Sequence, residues 1–246
     1  AGCRMGYLFG VPALLPAYSH NDYNNRRPLL DALDNGYRGV EADIIRQGSD
    51  LIVAHDRRDL RPTRTLARLY LQPLRERKRT CGLVLPDSTA FDLNLEVKEK
   101  DPQAFRLLVA ELRRYAELFE SDSGGVPAVR VILVGAWIPA DSQVAAWPSY
   151  LKVHAPMSGA AGPRTGLISI DYGKTLRWDG RGPVPQLAEE TLARARRIRD
   201  SLHVPIRVHH APAQANVFKW LLAEGVTLIG AGNLERTRTL LLAVCN

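Results

Sequence analysis

The sequence predicts an α/β protein, and within that class a single (β/α)8 TIM barrel. Short β-rich apolar runs alternate with longer amphipathic stretches along the 246 residues, a pattern typical of parallel strands joined by helices. Eight of these runs are predicted strands, which favours closure into a barrel. Gly36 and Gly225 follow predicted helices as stop signals. No linker or repeat divides the chain, so residues 1–246 are predicted to form one domain.

The predicted elements follow one another in regular order. The strands are Ala17–His20, Arg38–Ile44, Phe91–Lys98, Val129–Gly135, Tyr150–His154, Leu167–Asp171, Pro205–His210 and Val226–Gly230, with a small hairpin strand at Leu51–Ala54. The helices are Pro28–Asn35, Pro102–Phe119, Leu187–Leu202, Ala213–Glu224 and Leu234–Val244. In the helix at 187–202, Leu187, Leu192 and Ala195 mark the face predicted to pack on the sheet.

The composition excludes some classes of protein and leaves others open. A hydrophobic content of 46% and a charged content of 24% are ordinary for a globular protein. No apolar run approaches the roughly 20 residues of a membrane span. The net charge of +7 favours anionic partners, but no nucleic-acid motif accompanies it, so no nucleic-acid partner is expected. The scattered arginines are equally compatible with a compositional habit of the source genome.

The stretch at about 57–90 is the least regular part of the chain and is predicted to be an excursion on the barrel rim. Its arginines, between Arg57 and Arg79, are interleaved with leucines and Tyr70. In one interpretation this excursion binds substrate, as βα loops of barrels do. Its leucines and Tyr70 would then cover the mouth of the barrel, and its arginines would recruit an anionic or lipidic substrate. In the other it is a solvated amphipathic helix.

Two predicted strands carry acidic side chains on one face. Because side chains alternate along a strand, Glu41 and Asp43 share one face, and Asn94, Glu96 and Lys98 share a face on the next strand. Grouped carboxylates repel one another unless a cation neutralises them, and hard divalent cations bind such oxygens. A solvated sheet face is the alternative explanation.

Further ionisable residues lie at the predicted carboxyl ends of strands, where barrel enzymes have their active sites. They are His20, His55, His154, Asp171, His209 and His210. Any one of these histidines could be incidental. The joint placement of His20, His55 and the carboxylates indicates a site.

Several motifs together resemble a known family. They are Ser19-His20-Asn21-Asp22-Tyr23, Gly39-Val40-Glu41-Ala42-Asp43, Leu51-Ile52-Val53-Ala54-His55-Asp56, Leu95-Glu96-Val97-Lys98 and, in the tail, Ala223-Glu224-Gly225-Val226-Thr227-Leu228-Ile229. With them the chain resembles a divergent member of the superfamily of glycerophosphodiester phosphodiesterases and phosphatidylinositol-specific phospholipases C. The resemblance is specific as a set and covers the first hundred residues best.

The resemblance implies a set of catalytic roles. Glu41, Asp43 and Glu96 would hold one divalent cation, Mg²⁺ or Ca²⁺. His20 and His55 would act as general base and general acid on either side of the phosphorus. The attacking hydroxyl would come from water or from the substrate itself, which leaves hydrolysis and cyclic-phosphate formation both open.

Substrate contacts are less well specified. Lys98 would contact the phosphate as a point charge. Asn21 stands where the family usually has an arginine, so Asn21, Lys174 or an arginine of the excursion would replace that contact. Asp171 belongs to a segment that either contacts the leaving group or forms a strand-end turn. His209 lies on a strand where many relatives have a tryptophan, and it is a further substrate-binding candidate.

These observations predict a phosphoric diester hydrolase acting on a glycerophosphodiester or a phospholipid. A sphingomyelinase/phospholipase D-type phosphodiesterase on the same barrel is the nearest alternative, and a non-catalytic phosphate- or lipid-binding barrel is a second. A sugar-processing barrel with paired carboxylates fits less well, because histidines and Lys98 favour phosphate.

The expected location of the protein follows from its partners and its first residues. A phospholipid substrate implies peripheral contact with a membrane surface. Ala1-Gly2-Cys3 resembles the end of a bacterial lipoprotein signal, which would make the protein extracytoplasmic or lipid-anchored through Cys3, and a cytoplasmic protein is the alternative. Cys3, Cys81 and Cys245 are widely spaced and predict neither a disulfide framework nor a thiolate metal site.

Overall fold

The computed structural model describes residues 14–121, 125–139, 146–156 and 161–245. These residues contain nine β-strands. They are β1 (Leu15–Ser19), β2 (Tyr37–Gln47), β3 (Asp50–Val53), β4 (Phe91–Val97), β5 (Val129–Val134), β6 (Leu151–Pro156), β7 (Thr165–Asp171), β8 (Ile206–His209) and β9 (Leu228–Ala231). Each lies within a few residues of a run that the sequence predicts to be a strand.

Eight of the strands described here close into a parallel barrel. Their order is β1-β2-β4-β5-β6-β7-β8-β9, and β9 pairs with β1 to complete the circle. Strand β3 pairs antiparallel with the C-terminal part of β2 and is not one of the eight parallel strands of the barrel. Helices occur in several of the connections between the strands, as is usual for a parallel sheet. The predicted (β/α)8 barrel is therefore confirmed.

The helices of the described residues match the predicted ones, except that one further helix is present at Gln72–Cys81 and the helix predicted at 102–119 is divided in two. They are α1 (Leu30–Asp34), α2 (Gln72–Cys81), α3 (Pro102–Arg113), α4 (Ala116–Phe119), α5 (Gln186–Leu202), α6 (Ala215–Ala223) and α7 (Leu234–Cys245). The helix predicted at 102–119 is divided because Tyr115 leaves helical geometry and turns into the core. At its start, the Asp101 side chain accepts a hydrogen bond from the Gln103 N–H at 2.9 Å, and Pro102 fits the first turn.

The main hydrophobic core lies between the strands and the surrounding helices. Val40, Ala42 and Ile44 of β2 belong to it. Because side chains alternate along a strand, the residues between them point into the barrel. The interior has a small apolar cluster of its own, formed by Ile132, Val134 and Leu167. Much of the remaining interior is polar, and that polarity defines the candidate site.

Helix α5 buries the predicted face except at its start. Leu192 and Ala195 are buried as predicted, whereas Leu187 is 66% exposed. Ala188 is the buried residue of the first turn, and it lies four and seven residues before Leu192 and Ala195 on one helix face.

The excursion is better ordered than expected, and its apolar residues do not cover the mouth of the barrel. It contains helix α2, preceded by a π-helical turn at Ala67–Leu71. Leu66, Tyr70 and Leu74 are fully buried in the main core, because the apolar side of an amphipathic segment packs against the barrel wall. The expectation that these leucines and Tyr70 contact substrate is therefore wrong.

Two observations concern cysteines and membranes. Cys245 carries an exposed free thiol. Cys3 lies outside the described residues, so its lipidation stays a prediction. In the part of the chain described, no helix combines the length and the apolar character needed to cross a membrane.

Candidate active site

Three carboxylates meet at the carboxyl end of the barrel interior. Asp43 of β2 pairs in register with Glu96 of β4, and Glu41 lies one interior position lower on β2. One oxygen of each carboxylate lies within 4.8 Å of an oxygen of the other two. Glu41 and Asp43 are buried, and Glu96 is half-buried. The structure thus brings together the three residues predicted to bind a metal.

Gly135 makes room for the third carboxylate. It follows β5 with a φ of +93°, and a Cβ at this position would lie 2.5 Å from Glu96 Cγ and 2.6 Å from its Oε1. Only glycine combines this backbone conformation with such a close approach. The turn after β5 is therefore shaped around the Glu96 side chain.

Asp43 is the most heavily contacted of the three carboxylates. Its Oδ2 accepts a hydrogen bond from the Tyr23 hydroxyl at 2.8 Å and lies 2.7 Å from His55 Nδ1 and 3.5 Å from Lys98 Nζ. Its Oδ1 is buried and has no hydrogen-bond partner in the described part of the chain. Because a buried anionic oxygen without a partner is costly, Oδ1 suits a bound cation, and the donor set of three carboxylates suits a hard divalent ion.

Glu41 pairs with an arginine that the prediction did not include. Arg207 of β8 is buried inside the barrel, where it forms an ion pair with Glu41 and stacks over the Tyr18 ring at 4.6 Å from its centroid. Burial raises the pKa of Glu41, and the charge of Arg207 opposes that rise. Arg207 thereby helps Glu41 to remain ionised in the interior.

The charges of the cluster leave room for one more cation. Glu41, Asp43 and Glu96 are opposed by Arg207 and by Lys98, whose Nζ lies 3.4 Å from Glu96 Oε1. Burial raises the pKa of Glu96, and Asp43 raises it further. Counted with neutral histidines, three anions against two cations leave one negative charge. A divalent ion would reverse the sign and match the single negative charge of a phosphodiester.

The two predicted catalytic histidines lie beside the carboxylates in different environments. His20 directly follows β1, and its Nε2 is 3.6 Å from Glu41 Oε1. Burial, together with Arg207 and His210, lowers the pKa of His20 to about 4, so its imidazole is neutral near pH 7. The His55 side chain is 54% exposed. Since Asp43 can only accept, Nδ1 of His55 donates to it, which leaves Nε2 available for other partners.

Three of the remaining predicted site residues, Asp171, Lys174 and His209, form a second group at the same rim. Asp171 ends β7 and pairs in register with His209 of β8. Lys174 is largely exposed, with its Nζ 3.4 Å from Asp171 Oδ2. Asn21, beside His20, adopts a left-handed backbone conformation. His210 was not among the predicted site residues, yet its ring centroid lies 5.2 Å from that of His20.

One of the residues missing from the prediction could have been found in the sequence. Arg207 and His209 share a strand face by the same alternation that groups Glu41 with Asp43, and Ile206 and Val208 belong to the outer core. An arginine on the interior face of a barrel strand needs an anionic partner. Tyr23 carries no comparable signal, because a short 3-10 turn brings it to Asp43.

The first part of the chain matches a known family. Residues 11–120 match the family described as the AIM6-like phosphodiesterase domain. That range contains the three carboxylates, both predicted catalytic histidines and Lys98. Asp171, Arg207 and His209 lie beyond it.

Two curated fungal proteins are similar over a short segment. The chain is 47% identical over 66 residues to Altered inheritance of mitochondria protein 6 of Eremothecium gossypii, which is 26% of this chain and 17% of that protein. It is 44% identical over 62 residues to the protein of the same name from Kluyveromyces lactis, or 24% of this chain and 15% of that protein. The matched segment therefore spans about a sixth of each relative.

Solved structures share the barrel at low sequence identity. A glycerophosphodiester phosphodiesterase from Agrobacterium tumefaciens aligns with a TM-score of 0.51 at 12% identity, over 92% of this chain and 100% of that one. Tryptophan synthase from M. tuberculosis also aligns with a TM-score of 0.51, at 15% identity, over 99% and 96% of the two chains. These likenesses show the fold, and function must come from the site.

The described strands form a (β/α)8 barrel, and residues 11–120 match a phosphodiesterase domain. That match covers less than half of the chain, and it supports the resemblance that the motifs show to the glycerophosphodiester phosphodiesterase superfamily.

The buried Glu41–Arg207 pair gives a testable consequence for stability. Arg207→Met leaves Glu41 buried without its partner, so we expect the free energy of unfolding to fall by about 3–5 kcal/mol. Adding Glu41→Gln to that variant removes the uncompensated charge and should recover most of the loss. Denaturant unfolding in the presence of a chelator measures both effects. Arg194→Met, at an exposed position of α5, is the matched control, and a loss no larger than in this control would contradict the role of the pair.

Proposed function

We propose that this barrel cleaves phosphodiester bonds with the help of one Mg²⁺ or Ca²⁺ ion and of His20 and His55. The observation that carries the proposal is the double role of Asp43. Its Oδ2 holds His55 at 2.7 Å, while its buried Oδ1 remains available beside Glu41 and Glu96. The Asp43 side chain is thus both a candidate metal ligand and the hydrogen-bond partner of His55, the candidate proton donor.

Glu41, Asp43 and Glu96 are the residues that would hold the ion. When bound, a divalent cation offsets negative charge on a phosphate oxygen in the transition state. Lys98 contacts both Asp43 and Glu96, so its ammonium group can add a further positive charge beside the phosphate.

The two histidines are suited to opposite proton transfers. Neutral His20 can accept the proton of the attacking hydroxyl, since its burial disfavours the charged form. His55 donates Nδ1–H to Asp43, which orients the imidazole ring and leaves Nε2 available to protonate the departing alkoxide. Attack by water gives hydrolysis, and attack by a neighbouring substrate hydroxyl gives a cyclic phosphate. Phosphorus NMR of the first product distinguishes these outcomes and separates a phospholipase D-type product from a phospholipase C-type product.

A groove on the carboxyl side of the barrel supports a phospholipid substrate over glycerol phosphodiesters. It has a volume of about 590 Å³ and follows the carboxyl ends of β4 and β5. Its wall includes Phe105, Ile138 and the ring of Trp147, which stacks on Phe105 at 5.9 Å between ring centroids. Trp137 is 46% exposed at this groove. Such an apolar lining suits an acyl chain, whereas glycerol would gain nothing from it.

Peripheral membrane contact is part of this proposal. Lys100 and Arg106 lie at the same groove as Trp137, and the Lys100 ammonium is 5.9 Å from the centroid of the Trp137 ring. Basic residues beside an exposed aromatic ring are suited to an anionic lipid surface. The extracytoplasmic or lipid-anchored location through Cys3 stays a prediction.

The metal requirement is the first test of this function. We expect chelation to abolish turnover and Mg²⁺ or Ca²⁺ to restore it. Glu96→Gln should lower the affinity for the activating ion by at least ~10-fold, because it removes an anionic ligand. Activity measured against ion concentration gives the apparent affinity, with Glu190→Gln on exposed α5 as control. Full activity after exhaustive chelation would contradict the proposed cation.

Replacing the histidines tests the acid–base roles. His20→Ala and His55→Ala should each lower kcat by at least ~10²-fold, the usual contribution of a general acid or base, with the melting temperature unchanged. His203→Ala, at an exposed helix end, should retain parental activity. Near-parental kcat in both active-site variants would rule out this mechanism.

The groove predicts a dependence on chain length. Trp137→Ala should raise KM for long-acyl phosphodiesters by about 10-fold, since burying a large apolar side chain contributes about 1.5–3 kcal/mol, and should leave KM for short, soluble diesters unchanged. The kcat values should change little, because uniform binding does not affect the chemical step. Leu187→Ala, at an exposed apolar position of α5, is the control. An equal effect on short and long substrates would exclude an acyl-binding groove.

A further inference from the structure

A second cluster of metal-ligand residues lies at the barrel rim, next to the carboxylate site. Asp171 ends β7, His209 ends β8 in register with it, and His210 follows directly. One potential ligand atom of each lies within 4.8 Å of those of the other two. The cluster lies beyond the part of the chain that matches the phosphodiesterase domain.

The distances within the cluster are those of co-ligands. His209 Nε2 lies 3.6 Å from Asp171 Oδ2, and His210 Nδ1 lies 3.5 Å from Asp171 Oδ1. Well-formed N–H···O hydrogen bonds span about 2.7–3.2 Å, so these contacts are too long for strong direct bonds. Ligand atoms around a tetrahedral Zn²⁺, with bonds of about 2.0–2.2 Å, are separated by roughly 3.3–3.6 Å. The three side chains are therefore spaced to share an ion.

The imidazoles are available to such an ion. Nδ1 of His209 is buried without a hydrogen-bond partner among the described residues, so no hydrogen bond to this nitrogen fixes the tautomer of the ring. His210 is held at a φ of +60°, a conformation that costs energy outside glycine and is concentrated at functional positions. This turn keeps the two rings 4.7 Å apart between centroids.

Lys174 is an exposed cation that pairs with Asp171 in this structure. Its Nζ lies 3.4 Å from Asp171 Oδ2, and its side chain is 81% exposed. An exposed lysine pair of this kind contributes little and is easily broken. An ion approaching from solvent can therefore displace Lys174 without disturbing the barrel.

We propose that Asp171, His209 and His210 form a second metal site that binds Zn²⁺ or a similar borderline divalent ion. Two imidazoles and one carboxylate form the kind of ligand set that catalytic zinc sites use, with one position left for water or substrate. Imidazole nitrogens favour Zn²⁺ over Mg²⁺ and Ca²⁺, which prefer the all-oxygen set of Glu41, Asp43 and Glu96. The two neighbouring sites are thus selective for different ions.

Binding of Co²⁺ and Zn²⁺ to the untagged, chelator-stripped protein tests this site without measuring activity. In a large excess of Mg²⁺, we expect one Co²⁺ ion per chain with visible d–d absorption, and displacement of that ion by Zn²⁺. His209→Asn, His210→Asn and Asp171→Asn should each weaken the binding by at least ~10-fold. His203→Asn is the matched control for His210→Asn, because both histidines have a left-handed backbone conformation, which asparagine tolerates.

A measurement on the parent protein tests the site independently of whether any variant folds. X-ray absorption of the Zn²⁺-loaded parent in excess Mg²⁺ should show scattering from two imidazole ligands, whereas an oxygen-only shell would overturn the proposal. Glu96→Gln should leave Co²⁺ absorption unchanged. Three results would each overturn the proposal. They are loss of the Co²⁺ absorption in Glu96→Gln, retention of that absorption in the three Asn variants, and the absence of Co²⁺ binding in excess Mg²⁺.

Discussion

The arrangement of this barrel depends on the balance of charges buried in its interior. Three carboxylates within 4.8 Å of one another would repel strongly in a medium of low dielectric constant. Arg207 offsets Glu41 from across the barrel, and Lys98 offsets Asp43 and Glu96 from the rim. The remaining negative charge favours the divalent ion that we propose for this site, so the stability of the barrel and the proposed metal binding depend on the same contacts.

Strand register links this charge balance to the fold. Asp43 and Glu96 are neighbours because β2 and β4 pair with these residues opposite each other. A slip of one residue would turn either carboxylate toward the outer core, among aliphatic side chains. Gly135 adds a steric condition, since any side chain there would occupy the space of Glu96. The packing of aliphatic side chains in the outer core and the placement of the carboxylates inside the barrel thus require the same strand register.

The two parts of the chain contribute differently to the rim. The part that matches the phosphodiesterase domain contains the carboxylates and the histidines proposed to move protons. The later strands contain Arg207, which holds Glu41, and the group of Asp171, His209 and His210. Barrel closure joins the parts, because β1 pairs with both β2 and β9. His20, at the end of β1, consequently contacts both groups.

The sequence by itself determined the barrel, its strands and the faces of those strands, because alternation with period 2 is a local property that the apolar residues record. It also grouped Glu41 with Asp43 and Glu96 with Lys98. Only the tertiary structure decided which distant groups meet, including the Glu41–Arg207 pair and the contacts of Asp43 with Tyr23 and His55. It also showed that the leucines of the excursion are buried, since an apolar pattern indicates burial but not the surface against which a segment packs. These contacts depend on register and on barrel closure, which no local stretch of sequence specifies.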